Sequence, residues 1–502
     1  MKILLGTDIL LYYIKNLDMS EGVSILFTWL ERIKAKPYVD VSSIAILTHF
    51  ITLDSFKELN RFNVLKSLAP KANPILTIEQ QILSSKVRNK KLLRPLLAQL
   101  NYLACNEVDL LITENKETHI LASNIGIDDH VYSIEEFIER MCVEHRDLDD
   151  TRGVAIRKVR FGSLDIDSHF FNSFKADYEP YYHVWFKAKA NDPVFIAQDG
   201  NGFLRGLLKL KCEDENDDTG DISPRMKPAK RLKIASMKAH FTGQKLGQRF
   251  MRIVFDTAIR EHVEEIYVTL FENSNQMRRL VGMIEQWGFT FYGRKDCSEQ
   301  VYVRDFRKKV DDTPCACFPY HTSSNGVFII PINRVYASQL IPPFGINGDE
   351  DDMEPWKYAI KKTLVLREDN ESMKKGSVLL FYQKTSDAMA QSLSAVGVVE
   401  NVCRNCKDVQ MFVNRCRKRS ALSDTSLQEC WRRANGKVVV VDFLYVYHAG
   451  VSNELPSLQE IGVTSDNFHS QRPIRISEEQ YKKLIKGTDY EKTFIVDSTQ
   501  IC

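Results

Sequence analysis

Nowhere in the chain do about 18 apolar residues run without a charge, so no membrane-spanning helix is expected. The opening segment carries an apolar run, but Asp8 interrupts it and no small-residue cleavage site follows, so it does not read as a secretory signal. An excess of one charge sign is also missing. The 68 Lys and Arg against 66 Asp and Glu leave a formal net charge of +2. That excludes a whole-chain electrostatic case for nucleic acid, and any basic surface has to be local. The cysteines number eleven, odd and scattered, with no secretory framework. Reduced thiols in a cytoplasm fit that usage. No internal repeat is found.

What is present is a normal globular balance, 44% hydrophobic and 27% charged. At 502 residues the chain suggests about three domains. Three blocks separate by pattern. In residues 1–148, strands over Lys2–Leu5, Tyr38–Val41 and Asp109–Thr113 alternate with amphipathic helices. One helix runs through Tyr13 and another from about Glu21 to Ala35; Ser133-Ile-Glu-Glu has capping-box spacing. Strands alternating with helices imply a parallel α/β sheet.

Residues 150–308 change character. Pro193–Gln198 and Phe203–Lys211 read as a hairpin around Asp199-Gly-Asn-Gly. The acidic run Glu213–Asp221 reads as a solvated, mobile loop. Arg231–His240 is a strand, Leu246–His262 a helix, Glu265–Phe271 a strand and Gln276–Gln286 a helix, with closing strands over Phe289–Arg294 and Gln300–Arg304. Residues 318–500 follow a linker-like junction and read as mostly β, with turns at Gly376 and Gly436. The fold class is therefore multidomain, α/β and α+β.

The middle block resembles the GNAT N-acetyltransferases over about residues 153–306. The loop Thr242-Gly-Gln-Lys-Leu-Gly-Gln-Arg follows a strand and opens a helix. Against the family pattern Arg/Gln-x-x-Gly-x-Gly/Ala, Gly247 matches the final glycine, Lys245 stands at the first glycine, and Thr242 at the leading position. Tyr267-Val-Thr-Leu-Phe-Glu-Asn-Ser-Asn-Gln and Met283-Ile-Glu-Gln-Trp-Gly-Phe-Thr-Phe-Tyr-Gly-Arg resemble the family's later core. The resemblance implies acetyl-CoA as cofactor, its diphosphate held at a helix start where free N–H groups and the helix dipole favour an anion. Met237, Ala239, Thr242, Gly243, Gln244, Lys245, Leu246, Gly247, Gln248 and Arg249 are the implied contacts, with Asn273 and Asn275 for the pantetheine. The family's usual general-acid tyrosine falls on Ile284. Either Tyr292 or Tyr302 is the substitute acid or the chemistry relies on positioning alone, and Glu272 is the candidate proton acceptor.

The first block resembles the PIN nuclease domain, in which carboxylates gather at strand ends around Mg²⁺ or Mn²⁺. Asp8 is in place. The other acids fall on Leu47, Thr48 or His49, on Leu96 or Leu97, and on Asn115. The resemblance therefore implies a non-catalytic module for RNA binding or assembly, with Asp8 alternatively a helix cap. The last block resembles PUA-like domains of the ASCH and EVE type, small β-barrels associated with RNA. That implies base stacking by Tyr382 and Trp431, beside the basic cluster Arg415, Arg417, Lys418, Arg419, Arg432 and Arg433. A solvated helix face explains the cluster equally. Cys403, Cys406, Cys416 and Cys430 raise zinc, although a second CxxC is absent.

Three functions follow. The first is an acetyltransferase acting on an amine of tRNA, aminoacyl-tRNA or protein. The second is a non-catalytic RNA- or partner-binding protein, and the third a metal-dependent ribonuclease. The company of nuclease-like, acetyltransferase and base-reading modules resembles stress, toxin-antitoxin or phage-defence effectors.

Overall fold

A computed structural model describes residues 1–15, 20–47, 62–65, 93–145, 148, 154–178, 180–217, 219–240, 245–271, 275–296, 299–307, 313–332, 334–341, 359–383, 393–404, 406–417, 419–420, 422–448, 461–463, 472–486 and 488–496. They divide into two compact units. The first is drawn from Met1–Asp149 with Val413–Lys418, the second from Asp150–His240, Gln244–Phe412 and Arg419–Cys502. No helix among the described residues is long and apolar enough to cross a membrane.

The first unit holds a five-stranded sheet ordered β3-β2-β1-β4-β5. Its strands are β1 (Ile3–Leu5), β2 (Tyr38–Asp40), β3 (Asn63–Leu65), β4 (Leu110–Ile112) and β5 (Val131–Tyr132). All four pairings are parallel, the arrangement expected from strands that alternate with helices. Apolar residues of β1 and β4 are buried on both faces, which is why these strands read as unbroken hydrophobic runs. Ser133 caps the helix Ile134–Glu144 through the anticipated capping box, its hydroxyl accepting from Glu136 N while the Glu136 carboxylate accepts from Ser133 N.

The second unit carries two sheets. The first has eight strands ordered β6-β7-β8-β10-β11-β13-β12-β9. They are β6 (Val154–Arg160), β7 (Pro193–Asp199), β8 (Leu204–Glu213), β9 (Ile222–Ser223), β10 (Arg231–Ala239), β11 (Glu265–Leu270), β12 (Thr290–Lys295) and β13 (Glu299–Asp305). The β7–β8 turn is as expected: the Asp199 carboxylate accepts from Asn201 N and Phe203 N, and Gly202 takes φ +82°. The acidic run is largely solvated, as its charge suggested, with Asp214, Glu215 and Asp221 exposed, but its two ends are tied to the sheet. Glu213 ends β8 as a buried residue, Asp217 accepts from Lys211 Nζ at 2.9 Å, and Ile222–Ser223 pairs with β12. Lys211 of β8 pairs with Glu213 and Asp217, and Lys295 of β12 lies 3.4 Å from Asp221, so a lysine holds each end of the run.

One face of this sheet is apolar at alternate positions. Leu232, Ile234 and Met237 of β10 pack with Phe250, Val254 and Phe255 of the 15-residue helix Leu246–Arg260. The second sheet is ordered β15-β18-β17-β16-β14-β19. Its strands are β14 (Val327–Ile332), β15 (Lys361–Leu366), β16 (Val378–Gln383), β17 (Leu393–Cys403), β18 (Val439–His448) and β19 (Ile474–Ile476). Among the described residues no pairing joins β15 to β19, which would close the small barrel that the resemblance implied.

A single core runs through both sheets of this unit, from Phe255 and Trp287 through Phe318 to Leu380 and Leu444. The Phe255 ring lies 5.7 Å from Trp287 and 5.4 Å from Phe318, and the Arg304 guanidinium sits 4.5 Å from its centroid. Arg252 donates to the carbonyls of Tyr445 and Val446 at 2.7 and 3.0 Å.

Phe255→Ala is expected to cost about 3–5 kcal/mol, because it opens a cavity where aromatic rings meet. Denaturant unfolding followed by tryptophan fluorescence checks this. His321 gives a second prediction. It is buried, with one ring nitrogen facing the Tyr490 hydroxyl at 2.7 Å, and burial depresses its pKa from 6.5 to about 4. Below 6.5 the unfolded chain takes up a proton that the native site refuses, so stability falls with pH from about 6.5 to about 4 and then levels. The loss is on the order of 3 kcal/mol. In His321→Gln that part of the pH dependence should vanish from the denaturation midpoints.

Candidate active site

The site begins with a disagreement between strands. β10 and β11 pair in parallel from Arg231↔Glu265 to Ile234↔Val268, and there the pairing stops. β10 runs on to Ala239 bonded to β8, and β11 runs on to Leu270 bonded to β13. The register of β10 against β8 slips between Ile234 and Ser236, a bulge at Ala235. A bulged strand twists and bends, so two strands that begin as neighbours part. Among the described residues no ladder bond joins the two strands beyond this point, so backbone N–H and C=O groups on their facing edges turn toward a gap. In a sheet interior such groups need a partner.

Beyond β10 lies the start of the helix Leu246–Arg260. Lys245 is its N-cap residue, at φ +50° and ψ +32°, and contributes no side-chain cap. This left-handed conformation is one that glycine adopts without strain, and Lys245 stands where the family pattern has its first glycine. Arg249 N donates to Lys245 O at 3.0 Å, so the amides before Arg249 precede the helix's own ladder. Charge adds to these donors. Lys245 is 7% exposed, and Lys362 of β15 only 2%. Burial, then the neighbouring Lys245 and Arg252, hold the Lys362 ammonium well below its ordinary pKa. A helix start beside crowded cations favours an anion. Gly247 approaches the next helix closely: a Cβ there would meet Met283 Sδ at 2.8 Å.

On the opposite face of the sheet is a cavity of about 840 Å³. Ala235, Ser236 and Thr269, at the parting, form part of its floor, beside Lys233. Phe174, Tyr181, Tyr182 and Trp185 wall it from the helices Asn172–Tyr178 and Tyr182–Ala188. Lys238 Nζ fastens the end of β10 to this wall by donating to Phe170 O and Ser173 Oγ at 2.6 and 2.9 Å. The remaining wall is charged but paired. Lys209 meets Asp192 at 2.8 Å, and Lys211 meets Glu213 at 2.9 Å. Glu213 also accepts from the Tyr267 hydroxyl at 2.7 Å, and Lys295 lies 3.6 Å from Glu299. Burial pushes the Tyr182 and Tyr267 phenols above their ordinary range.

The anticipated site residues are distributed unevenly over this geometry. Ala239 ends the β10 edge, while Met237 turns its side chain into the core and offers only its backbone. Lys245, Leu246, Gly247, Gln248 and Arg249 form the helix start; Gln248 Oε1 accepts from Lys361 N, and Arg249 donates to Val154 O. Thr242, Gly243, Gln244, Glu272 and Asn273 lie outside the described residues, as does the Asn275 side chain. Neither proposed acid belongs to the cavity. Tyr302 is in the core on the helix side and donates to Gln300 Oε1, and Tyr292 donates to Arg225 O. Lys233, Tyr182, Trp185, Glu213 and Glu299 were not anticipated. The available signal was the alternation Arg231-Leu-Lys-Ile, whose polar positions must face away from the core.

The other expected sites fare less well. Tyr382 is 1% exposed in the core, which overturns base stacking there. The Trp431 ring lies 5.6 Å from Phe412. The basic cluster is split among carboxylates: Arg415 pairs with Asp129, Arg419 with Glu400 at 2.6 Å, and both Arg432 and Arg433 with Glu429. Arg417 reaches the Met1 sulfur, and Lys418 is outside the described residues. Asp8 accepts from Thr113 Oγ1 and Glu114 N at 2.8 and 2.6 Å, tying the end of β4 to the helix Thr7–Lys15. Burial raises its carboxyl pKa, against these hydrogen bonds. Among the described residues no three His, Cys, Asp or Glu converge as a metal site, so neither Mg²⁺ or Mn²⁺ at Asp8 nor zinc gains support. Cys403 and Cys406 stand 3.8 Å apart at sulfur, while Cys416 is buried.

No family model matches this chain, and no curated protein matches it. Solved structures align over part of it. A GNAT-family acetyltransferase from Listeria monocytogenes aligns at 19% identity over 22% of this chain, with TM-score 0.18. The match spans 63% of that protein's own length. The NatC complex, solved with Gag peptide and CoA, aligns at 20% identity over 30% of this chain and 96% of its own, TM-score 0.21. NAA60 from Arabidopsis thaliana, solved with acetyl-CoA, aligns at 13% over 30% and 96%, TM-score 0.23.

Tyr267→Phe is expected to destabilise the protein by about 1–3 kcal/mol, since it removes a donor from the buried Glu213 carboxylate. Tyr292→Phe, at a less buried hydroxyl bonded to one carbonyl, should stay within about 1 kcal/mol of the parent. Thermal unfolding of the two variants side by side tests the contrast.

Proposed function

We propose that the second unit binds an acyl-CoA thioester, acetyl-CoA first, and passes the acyl group to an amine that enters the cavity walled by Tyr182 and Trp185. The observation that carries this reading is the parting of β10 and β11 beyond Ile234 and Val268, next to the start of the helix Leu246–Arg260. An extended pantetheine arm carries amide groups, and the unpaired backbone of two diverging strands offers it hydrogen bonds. The helix start, with Lys245 and Lys362 close by, suits a diphosphate. When bound, the thioester supplies an activated acyl carbon. The chain's own part is to orient that carbon, to exclude water with the aromatic wall, and to hold the amine beside it. A general-acid tyrosine is not required by this reading, since a thiolate is a good leaving group and needs little proton assistance. The proposal does not include base recognition by Tyr382, whose ring is inside the core.

Calorimetry of the full chain with acetyl-CoA should show saturable binding. Gly247→Trp, which drives a ring into the contact with Met283, should weaken it at least about tenfold. Lys362→Met supplies a milder check, because it removes a buried cation without filling the helix start. It should weaken acetyl-CoA about three- to tenfold, read in the same calorimetric titration. Absence of binding at millimolar acetyl-CoA removes the reading.

A further inference from the structure

Lys233 shares the cavity floor with Ala235, Ser236 and Thr269, two residues before the β10 bulge. Its neighbours in the wall are committed: Lys209 to Asp192, Lys211 to Glu213 and Asp217, and Lys295 to Asp221, Asp296 and Glu299. Among the described residues Lys233 has no hydrogen bond and no ion pair from its side chain. Its Nζ instead lies 5.3 Å from the centroid of the Tyr267 ring, whose hydroxyl is given to Glu213. The charged groups that face it are Glu213 from β8, Asp221 ahead of β9, Lys295 from β12 and Glu299 from β13. Burial outweighs the three carboxylates and, with Lys295, lowers the Lys233 pKa. A lysine so placed keeps its lone pair for a larger part of the time than one in water.

We propose that Lys233 is itself an acyl acceptor, a modification site inside the cavity. The proposal rests on the acyl-CoA reading above. Nζ of the neutral amine adds to the thioester carbonyl carbon. The C–N bond forms, the C–S bond breaks, and the sulfur leaves with the electron pair and takes the proton that nitrogen gives up. The products are Nζ-acetyl-lysine and a free thiol, and no other reactant is needed. Acetylation removes a cation from among Glu213, Asp221 and Glu299 and places an acetamide on the floor. The modified cavity is smaller and more acidic than the free one.

The full chain is incubated with acetyl-CoA and no other amine, and acetylation at each lysine is followed by peptide mass spectrometry. Lys233 should be modified at least about tenfold faster than Lys209, Lys211 and Lys295, with a rate that saturates in acetyl-CoA. Lys233→Arg should lose this increment and still bind acetyl-CoA in calorimetry. Binding without faster modification of Lys233 overturns the proposal and leaves the acyl-CoA reading standing. Modification of Lys233 at the parent rate in Gly247→Trp also overturns it, since the reaction is then chemical and not site-directed. Absence of binding removes both.

Discussion

The second unit is organised around a strand that cannot satisfy two neighbours at once. After Ile234, β10 keeps its ladder with β8 and gives up β11. Both choices are fixed by side chains on the core face. Met237 continues the apolar row of Leu232 and Ile234 against Phe250, so β10 must stay on the helix Leu246–Arg260. Leu270 continues the row of β11, which stays with β13. The bulge at Ala235 absorbs the difference. A sheet interior with unpaired backbone groups is costly unless something bonds to them. The cost is localised where two faces of chemistry meet: a helix start on one side, an aromatic-walled cavity on the other.

The second sheet of this unit bears on that place as well. Arg252 anchors the helix Leu246–Arg260 to the carbonyls of β18, and Gln248 Oε1 accepts from Lys361 N of β15. These contacts bring Lys362 near Lys245. One apolar cluster continues from one sheet to the other, with the buried guanidiniums of Arg252 and Arg304 set among its aromatic rings, which is why they form one compact unit. A linker-like composition around residues 308–313 therefore does not mean independent bodies. Composition reports how a segment is solvated, whereas Phe318, a few residues on, reports what it packs against.

Much of this was legible in sequence because it rests on local physics. The capping box at Ser133, the Asn-Gly hairpin at Gly202 and the amphipathic helix from Leu246 are all patterns read within a few residues. What was not legible depends on pairing across the chain. Tyr382 alternates like any strand aromatic, and only its place between β14 and β17 shows that it is buried. The basic residues from Arg415 to Arg433 looked free because their carboxylates sit far away in sequence, Asp129 and Glu400, or one helical turn back, Glu429. The acidic run after Glu213 is solvated as it looked, but the lysines that hold its ends, Lys211 and Lys295, could not be read from its composition. Lys245 is the reverse case. The mismatch with a glycine pattern raised the question of the backbone there, and the residue does adopt the left-handed conformation that glycine would take.

The charge pattern of the cavity also constrains what an incoming amine must do. Lys209, Lys211 and Lys295 are already matched by carboxylates, so a charged ligand finds little unbalanced potential to offset the water it leaves behind. The same desolvation that lowers the Lys233 pKa acts on any ammonium brought to the floor beside it. On the proposed reading, an amine entering between Tyr182 and Trp185 is pressed toward its neutral form by burial itself. That is the form able to attack an acyl carbon. On that reading a dedicated base has less to supply, and placement and exclusion of water carry more of the proposed chemistry.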